Sequence, residues 1–364
     1  MGGLPPVSDD EWQRVQKALD DNAGNISRAA KTLGIPRQTL QNRLKNHDTP
    51  DGYKVRGTST LYGPDGETKL VWVKTREEPL SVDEIACQVR EALDGYEPPA
   101  ELPSTPEPGD ADLATVYLVS DWHVGLLSWK KETGYNYDLK IALTTIKTAM
   151  TRLVSGTPKS SQAVVLGLGD LLHSDNYESM TSRSKNVLDV DGRYPKILFA
   201  ATQLLLHTID LALQKHETVL VRILPGNHDD QSAIAVALAV SMFYRNNPRV
   251  TVDDDAGRFW WWLWGKVFLG ATHGDKAKMR DLPLIMAARN PEEWGKAKFR
   301  HIYTGHIHRD TSIEISGVTV ESFQSPVAPD SWHVGMGYGA GRSVQAITHH
   351  KEQGEIVRQK VNIV

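Results

Sequence analysis

Cysteine is almost missing from this sequence: Cys87 is the only one in 364 residues. One cysteine cannot form an internal disulfide, and nothing in the cysteine usage suggests an oxidising compartment. Long apolar runs are missing too. The longest, such as 232–244, are too short to span a bilayer, and residues 1–10 lack the basic start and apolar stretch of a signal peptide. We therefore expect a cytoplasmic protein without a membrane partner.

A strong excess of one charge is also missing. The formal net charge is -4, so no overall field draws the molecule onto nucleic acid or an anionic membrane. Any nucleic-acid binding must therefore come from a local surface. The chain is long enough for one large domain and a smaller one.

Four segments differ in their sequence pattern. Residues 8–46 have apolar side chains at helical spacing, and residues 53–75 have short β runs around Gly63-Pro-Asp-Gly66, a hairpin signal. Residues 96–112 are rich in proline and acidic side chains, which predicts an extended linker. We predict a helical domain at 1–50, a β-hairpin with a short helix (81–93) at 51–95, the linker at 96–112 and a large domain at 113–364.

The large domain alternates strands and helices, which predicts an α/β layered fold. The predicted strands are 114–120, 163–167, 218–224, 258–264, 267–271, 300–304, 312–314 and 318–321, and the predicted helices are 139–153, 196–214 and 232–244.

Polar motifs follow five of these strands. They are Asp121-Trp-His123, Gly169-Asp-Leu-Leu-His173, Gly226-Asn-His-Asp229, Thr272-His-Gly274 and Gly305-His-Ile-His308. Ligands of α/β sheets gather at the carboxyl ends of strands. Because side chains alternate along extended chain, Asp-x-His and His-x-His direct two side chains to one region.

The chemistry of these side chains is that of a metal cluster. A carboxylate such as Asp170 can bridge two cations, while neutral imidazole and amide ligands complete each shell. Mixed oxygen and nitrogen ligands suit Mn, Fe or Zn better than Ca or Mg. Two such ions about 3.5–4 Å apart can activate water for attack on phosphorus. We expect two divalent ions, with Mn²⁺ favoured over Fe or Zn.

The five motifs, in this order, resemble the calcineurin-like metallophosphoesterase superfamily over residues 113–325. The resemblance implies a layered β-sandwich flanked by helices. It also implies one metal on Asp121, His123, Asp170 and His308, and another on Asp170, Asn227, His273 and His306. By the same resemblance, His228 is a non-ligand imidazole that binds phosphate or protonates the leaving oxygen, and Asp229 orients it.

Within that superfamily, Gly169-Asp-Leu-Leu-His173 followed by Asn176 resembles the Mre11/SbcD nuclease branch. This implies that His173 assists catalysis without binding metal, although it could equally be a buried or supporting histidine. The capping domain of those nucleases is not recognisable in the sequence.

Residues 25–45 resemble the helix-turn-helix of Fis-type and NtrC-type DNA-binding domains. Ala29, Ala30, Leu33, Ile35, Leu40 and Leu44 can form its small core, with Gly34 turning the chain. Between Arg28 and Lys45 the sequence has five basic side chains and no acidic one, which indicates a local positive face. The residues expected on that face to contact DNA are Arg28, Arg37, Gln38, Gln41, Asn42, Arg43 and Lys45.

Several alternatives stay open. The helical segment could instead bind protein, and because such modules commonly work as dimers, a homodimer is compatible with it. The run Phe259-Trp-Trp-Trp-Leu-Trp264 could stack on bases, but a strand with one face in the core and the other under a loop is favoured. His333, Arg183, Lys185 and Arg193 could line a substrate groove. His349 and His350 are expected to be solvated.

Three functions compete. The first is a metal-dependent DNA nuclease directed to its substrate by the helix-turn-helix. The alternative is a phosphatase or small-molecule phosphodiesterase with a regulatory helix-turn-helix. The third, a non-enzymatic DNA-binding regulator, is disfavoured because no ligand position is substituted. The DNA-reading face and His173 favour the nuclease.

Overall fold

The computed structural model describes residues 9–22, 24–37, 39–40, 44, 53–62, 68–77, 87, 96, 108–181 and 184–364. Contacts divide the chain into two compact units, residues 1–79 and residues 80–364, which are described separately. The predicted helix 81–93, apart from residue 87, and most of the predicted linker lie outside the described residues. The predicted domain boundaries therefore stay a prediction.

The first unit begins with two helices, α1 (Asp9–Asp21) and α2 (Ile26–Leu33). The Asn25 side chain caps α2 by accepting hydrogen bonds from the backbone amides of Ser27 and Arg28, which satisfies donors that a helix start leaves free. Gly34 ends α2 with a φ of 68°, a left-handed conformation that glycine adopts without strain. The predicted end of this helix at Gly34 is confirmed.

Apolar side chains of the first unit form one small core. All six side chains predicted for it are present, together with Val15 and Ala18 of α1. Arg37, Thr39, Leu40 and Leu44 are helical, in agreement with a third helix. The predicted hairpin is confirmed by two antiparallel strands, β1 (Tyr53–Tyr62) and β2 (Thr68–Glu77).

The second unit has seven helices and eleven strands among its described residues. The helices are α3 (Lys130–Thr133), α4 (Leu139–Gly156), α5 (Tyr194–Leu213), α6 (Ser232–Tyr244), α7 (Leu282–Arg289), α8 (Pro291–Lys296) and α9 (Ser331–Gly335). The strands are β3 (Asp110–Val119), β4 (Ser160–Gly167), β5 (Thr218–Ile223), β6 (Val250–Asp253), β7 (Trp260–Trp264), β8 (Val267–Ala271), β9 (Phe299–Thr304), β10 (Thr311–Ile315), β11 (Val318–Ser322), β12 (Ser343–His350) and β13 (Gly354–Asn362).

These strands form two sheets, in the orders β13-β12-β3-β4-β5-β6 and β10-β11-β9-β8-β7. Alternate residues of β3 face opposite layers: Val116 and Leu118 pack between the sheets, whereas Tyr117 and Val119 pack against α4, α5 and α6. On the far side of the second sheet, Phe268 packs against Leu282 of α7. The order of layers is helix, sheet, sheet, helix, which confirms the predicted α/β sandwich flanked by helices.

The C-terminal part of this core was not predicted from the sequence. Strand β12 pairs antiparallel with β3, so the last hairpin completes the first sheet. His349 of β12 is fully buried and its Nε2 lies 2.7 Å from the Tyr303 hydroxyl. The expectation that His349 is solvated was therefore wrong.

The tryptophan-rich run forms β7, as favoured from the sequence. Trp260 and Trp262 pack between the sheets. Trp261 and Leu263 pack on the other face against the cluster that contains Met286 of α7, so a helix rather than a loop covers that face. The run is part of the core and is not a base-stacking surface.

Helix α5 is the one described helix long and apolar enough to cross a membrane. It is apolar nearly all round because the first sheet, α4 and α6 surround it. Of its most apolar stretch, 72% is buried inside the second unit. These are properties of a core helix.

Candidate metal centre

All five predicted motifs meet at one edge of the double sheet. Strands β3, β4 and β5 run parallel, so the segments that follow them, with Asp121, Asp170 and Asn227, leave the first sheet on the same side. Strands β8 and β9 of the second sheet are also parallel and lead into His273 and His306. The connection after β3 is held to that after β4 because the His123 amide donates to the Asp170 carbonyl over 2.9 Å.

The backbone of the centre is strained. Eight described residues other than glycine have a positive φ, and five of them are predicted ligands. They are Asp121 (50°), His123 (37°), Asp170 (51°), His306 (72°) and His308 (51°). Such conformations cost about 1–3 kcal/mol each and persist where the surroundings enforce them, as at functional sites.

Two glycines let other chain segments approach the carboxylates. A Cβ at Gly226 would lie 2.0 Å from Asp170 Oδ1, and one at Gly305 would lie 2.5 Å from Asp121 Oδ2. No side chain fits at either position without displacing a predicted ligand.

One group of potential ligands consists of Asp121, His123 and His308. His308 Nε2 lies 3.4 Å from Asp121 Oδ1 and 3.0 Å from His123 Nε2. Asp121 itself is held by the Ser120 hydroxyl, which donates to Oδ2 over 2.5 Å, and by the His306 amide, which donates to Oδ1 over 2.8 Å.

A second group consists of Asp170, His273 and His306, with Asn227 beside it. His273 Nε2 lies 3.0 Å from Asn227 Oδ1 and 3.2 Å from Asp170 Oδ2. The His273 Nδ1 lies 2.8 Å from the Leu168 carbonyl oxygen. Because a carbonyl only accepts, Nδ1 carries a proton, and Nε2 is directed into the centre. Burial alone would lower the pKa of His273, but the Asp170 carboxylate raises it to about 10, so a bound metal would take the place of the Nε2 proton.

Asp170 connects the two groups. Its Oδ2 lies 3.2 Å from His273 Nε2 and 3.7 Å from His123 Nε2, while its Oδ1 accepts from the His228 amide over 2.8 Å. Within the described chain, neither Asp170 nor Asp121 has an ion pair with lysine or arginine, and both are buried. The ion pairs of these two buried carboxylates among the described residues are with imidazoles, whose protons a metal cation can replace.

The protonation states of His123 and Asp170 suit metal ligands. Burial, and then the charge on His228, holds the pKa of His123 well below its usual value, so its ring is neutral. Burial alone would raise the pKa of Asp170, but the imidazoles of His273 and His228 hold it well below the usual range. A neutral imidazole and an ionised carboxylate are the forms that bind metal.

His228 is half-buried and edge-on to His123, with ring centroids 4.7 Å apart. Its Nδ1 lies 2.8 Å from the His173 carbonyl oxygen. Since that oxygen accepts, Nδ1 carries a proton and Nε2 is left to exchange protons.

The expected orienting role of Asp229 toward His228 was wrong. The Asp229 carboxylate accepts from four backbone amides, those of Asp170 (3.1 Å), Leu171 (2.7 Å), Leu172 (3.2 Å) and Gly226 (2.9 Å). It therefore joins the segments after β4 and β5. Burial and the neighbouring Asp170 carboxylate raise the pKa of Asp229 to about 7, against the opposing effect of the amide donors.

His173 is buried directly behind His123, with their Nδ1 atoms 3.2 Å apart. Burial, and then the charge on His228, lowers the pKa of His173 to about 3, so it is neutral. It also stacks on His228, with centroids 5.3 Å apart. The sequence-based interpretation did not decide between a catalytic and a supporting role.

The sequence-based interpretation missed Asp330 as part of this region. It caps α9 by accepting from the His333 amide over 2.8 Å, and His333 Nδ1 lies 2.6 Å from the same oxygen. His333 stacks on His308 with centroids 5.0 Å apart, so its predicted place near the groove is consistent with the structure. The sequence Asp330-Ser-Trp-His333 could have indicated this contact, because an aspartate commonly caps a helix by accepting from the backbone amide three residues later.

In the first unit, Arg28 and Arg37 are exposed, as is Lys31. The other residues predicted to contact DNA, Gln38, Gln41, Asn42, Arg43 and Lys45, lie outside the described residues.

Comparison with known proteins gives two kinds of match. Residues 9–47 match the family model described as bacterial regulatory protein, Fis family, which supports the helix-turn-helix resemblance. No curated protein sequence matches the chain.

The second kind of match is to solved structures. A conserved Streptococcus pneumoniae protein, described as a predicted phosphoesterase, is 10% identical over 69% of this chain and 98% of its own, with a TM-score of 0.29. An archaeal phosphodiesterase is 12% identical over 68% and 99%, with a TM-score of 0.33. Zn-bound Vps29 of Entamoeba histolytica is 12% identical over 68% and 98%, with a TM-score of 0.31. Such low scores decide nothing about the site, which stands on its own geometry.

Proposed function

We propose that the chain is a metal-dependent phosphodiesterase that cleaves DNA, a nuclease of the Mre11/SbcD type, and that the helix-turn-helix directs it to its substrate in the cytoplasm. The observation that carries the hydrolytic part is Asp170 Oδ2, which lies between His273 Nε2 and His123 Nε2 at 3.2 and 3.7 Å. A buried carboxylate oxygen shared by two ligand groups is the arrangement that a bridging ligand requires.

The two ligand groups would each hold one divalent cation. Asp121, His123, Asp170 and His308 form one set, and Asp170, Asn227, His273 and His306 form the other. Two bound cations, for which Mn²⁺ is our first choice and Fe or Zn the next, would polarise the phosphoryl oxygens and lower the pKa of the attacking water.

The protein's own side chains do the remaining work. The Nδ1–H of His228 donates to the His173 carbonyl. When the ring is also protonated at Nε2, it can give that proton to the oxygen that leaves phosphorus as the P–O bond breaks, and the proton that the attacking water loses can restore it. Asp229 holds the peptide segment on which Asp170 is mounted. Neither residue is needed as a ligand.

We assign His173 a positioning role. The Nε2 of His123 faces the other ligands, so its Nδ1 carries the proton and can donate it to His173 Nδ1 over 3.2 Å. This fixes the tautomer of His123 in the form that binds metal.

The DNA part of the proposal rests on the first unit. Its residues 9–47 match a Fis-family model, and it exposes Arg28, Lys31 and Arg37, whose charges suit phosphate and base contacts. A homodimer would place two such modules on adjacent half-sites and stays a prediction.

One assay tests the substrate. The purified chain is incubated with Mn²⁺ and labelled linear, circular or single-stranded DNA, and in parallel with a chromogenic phosphate bis-ester and mono-ester. We expect cleavage of DNA and bis-ester. Hydrolysis of small esters with no cut in any DNA, under Mn²⁺, Fe²⁺ or Zn²⁺, would contradict the nuclease proposal and support a phosphatase or small-molecule phosphodiesterase with a regulatory helix-turn-helix.

A second assay tests the targeting. Arg28→Ala with Arg37→Ala should weaken duplex binding and reduce its salt dependence by about two phosphate contacts, with bis-ester hydrolysis unchanged. The control is Lys17→Ala on α1. Equal duplex affinity in the double variant and the control would refute the targeting role.

A further inference from the structure

Exposed aromatic side chains lie beside the metal centre in the second unit. Trp129, Trp332 and Tyr338 expose 58%, 54% and 54% of their surface. By contrast, Trp260 of β7 is buried and the other β7 tryptophans are half-buried. We call Trp129, Trp332 and Tyr338 the aromatic rim.

The rim is continuous with the predicted ligands. His308 stacks on His333 with centroids 5.0 Å apart. Trp332 meets the edge of His333 at 5.0 Å, and Tyr338 lies 5.6 Å from Trp332. An unbroken series of rings therefore leads from a ligand of the centre to two exposed aromatic side chains.

The rim is mounted on a braced segment. Asp330 caps α9, and the Ser331 hydroxyl donates to Asp189 over 2.7 Å. The Ser128 hydroxyl donates to the Pro329 carbonyl over 2.8 Å, which ties the residue before Trp129 to the start of α9. Exposed rings on a braced segment lose little conformational entropy when a ligand covers them.

The charges beside the rim favour a polyanion. Lys130 and Lys131 of α3 are exposed, and Lys131 Nζ lies 5.5 Å from the centroid of the Trp129 ring. Arg309, the residue after His308, is exposed too. Of the nearby carboxylates, Asp330 is bonded to His333, Asp189 accepts from the Ser331 hydroxyl and Asp310 pairs with Lys360, while Glu132 of α3 is exposed. Aromatic rings interleaved with basic side chains are the elements that bind single-stranded nucleic acid without sequence preference.

We propose that the aromatic rim is a subsite for unpaired nucleotides, whose bases stack on Trp332 and Tyr338 while the phosphate to be cut enters the metal centre. This rests on the proposed function and makes its substrate single-stranded DNA or a frayed end, since the bases of a closed duplex are already stacked on each other. A flat apolar protein partner is the competing occupant.

The test uses the full chain and a labelled single-stranded oligothymidylate, with a second oligonucleotide that lacks the bases on either side of the cut position. Trp332→Ala and Tyr338→Ala should each lower kcat/KM for the intact oligonucleotide about 10-fold or more, and by a larger factor than for the bis-ester. Both should differ little from wild type on the abasic oligonucleotide. Trp332→Phe, which keeps an aromatic ring, should retain most of the wild-type kcat/KM for the intact oligonucleotide. Leu284→Ala, a change at an exposed residue of α7, should behave as wild type on all substrates.

Binding in EDTA, measured by fluorescence anisotropy, gives a readout independent of turnover. Weaker binding of the intact but not the abasic oligonucleotide by the alanine variants would support the rim. Cleavage and binding of the intact oligonucleotide at wild-type levels in both variants would overturn it, leave the nuclease proposal standing and favour a protein partner. If no DNA is cut by the wild type, the proposed function fails, and the anisotropy comparison still decides the rim.

Discussion

The metal centre and a second cluster in the same unit use the same kinds of side chain. The second cluster consists of His301 of β9, Glu321 of β11 and Glu355 of β13, whose ligand atoms also lie within 4.8 Å of one another. Arg358 distinguishes the two. Its guanidinium lies 2.9–3.0 Å from both carboxylate oxygens of Glu321 and of Glu355, so the chain itself supplies the cation.

The backbone differs as well. The residues of the second cluster lie within regular strands, and none has a positive φ, whereas five predicted ligands of the centre do. Proximity of histidine and carboxylate is therefore not enough to indicate a metal site. Two features separate the clusters. The buried carboxylates of the centre pair with imidazoles, whose protons a metal can replace, and not with a guanidinium, and the backbone after the strand ends is strained.

Asp170→Asn should give the largest effect, because it removes charge from the oxygen shared by both ligand groups. We expect metal content to become substoichiometric and bis-ester hydrolysis to fall on the order of 10³-fold. Metal content is measured by mass spectrometry after dialysis against Mn²⁺. Glu321→Gln, the same charge loss in the second cluster, should lower the melting temperature but keep the metal. Equal metal loss in both variants would erase the distinction between the clusters.

His228→Gln should come next, with turnover lowered about 100-fold and metal content unchanged. We propose that His228 contacts the ligands through its ring and its backbone amide without being one, although its ring also lies in a group of potential ligands with His123 and His173. Rates and metal content are measured on the same preparation. Loss of metal from this variant would make His228 a ligand and refute its assigned role.

Gly226→Ala should weaken Mn²⁺ binding about 10–100-fold, the range seen when groups that orient ligands are lost. The added methyl would collide with Asp170 Oδ1. Calorimetric titration gives the affinity. Gly295→Ala is the matched control, since its Cβ meets open space in helix α8. There alanine should stabilise the protein by up to about 1 kcal/mol. Unchanged affinity in Gly226→Ala would show that the centre tolerates displacement of Asp170.

The last prediction concerns the pH dependence of stability, through a residue that contacts the second cluster. Burial lowers the pKa of His349, which is packed against His301, to about 3. The unfolded chain takes up this proton near pH 6.5, so the contribution to stability is complete above pH 6.5 and is lost as the pH falls toward 3.

His349 contributes at most about 1.4 kcal/mol per pH unit to the slope, to which buried histidines such as His173 and His216 also contribute. Urea unfolding in EDTA between pH 7 and 4 measures the slope of the free energy of unfolding against pH in the absence of metal. In His349→Asn this slope should decrease by the contribution of about one titrating proton. An unchanged slope would mean that His349 is not the group that titrates.

The residues proposed as ligands could be predicted to lie together because each follows the end of a buried strand, where local pattern is strongest. The same holds for Gly34 and the small core of the first unit. Strand β12 was missed because its pairing partner β3 lies more than 200 residues earlier, and no local pattern expresses that pairing. Strand β13 pairs with β12 in a local hairpin, and it was missed together with β12. Burial of His349 follows from the same long-range contact.

The partners of Asp229 could not be predicted for a different reason. Its sequence neighbour is His228, but four backbone amides converge on the carboxylate from two separate segments. Because nearly every residue has a backbone amide, the amino-acid types do not indicate which amides donate to a carboxylate. Likewise, two residues with the same side chain differ in burial, because Trp260 packs between the two sheets and Trp332 lies at the surface.

The left-handed residues of the centre have a consequence for how it can change. Aspartate and histidine are among the few side chains enriched at positive φ, so the amino acids proposed to bind the metal are also those that tolerate this backbone best. Exchanging Asp121 for glutamate or His308 for cysteine to recruit another ion would meet a conformational barrier before any question of ion preference arises. Evolution toward a different metal would therefore proceed more readily through the surroundings of the ligands than through the ligands themselves.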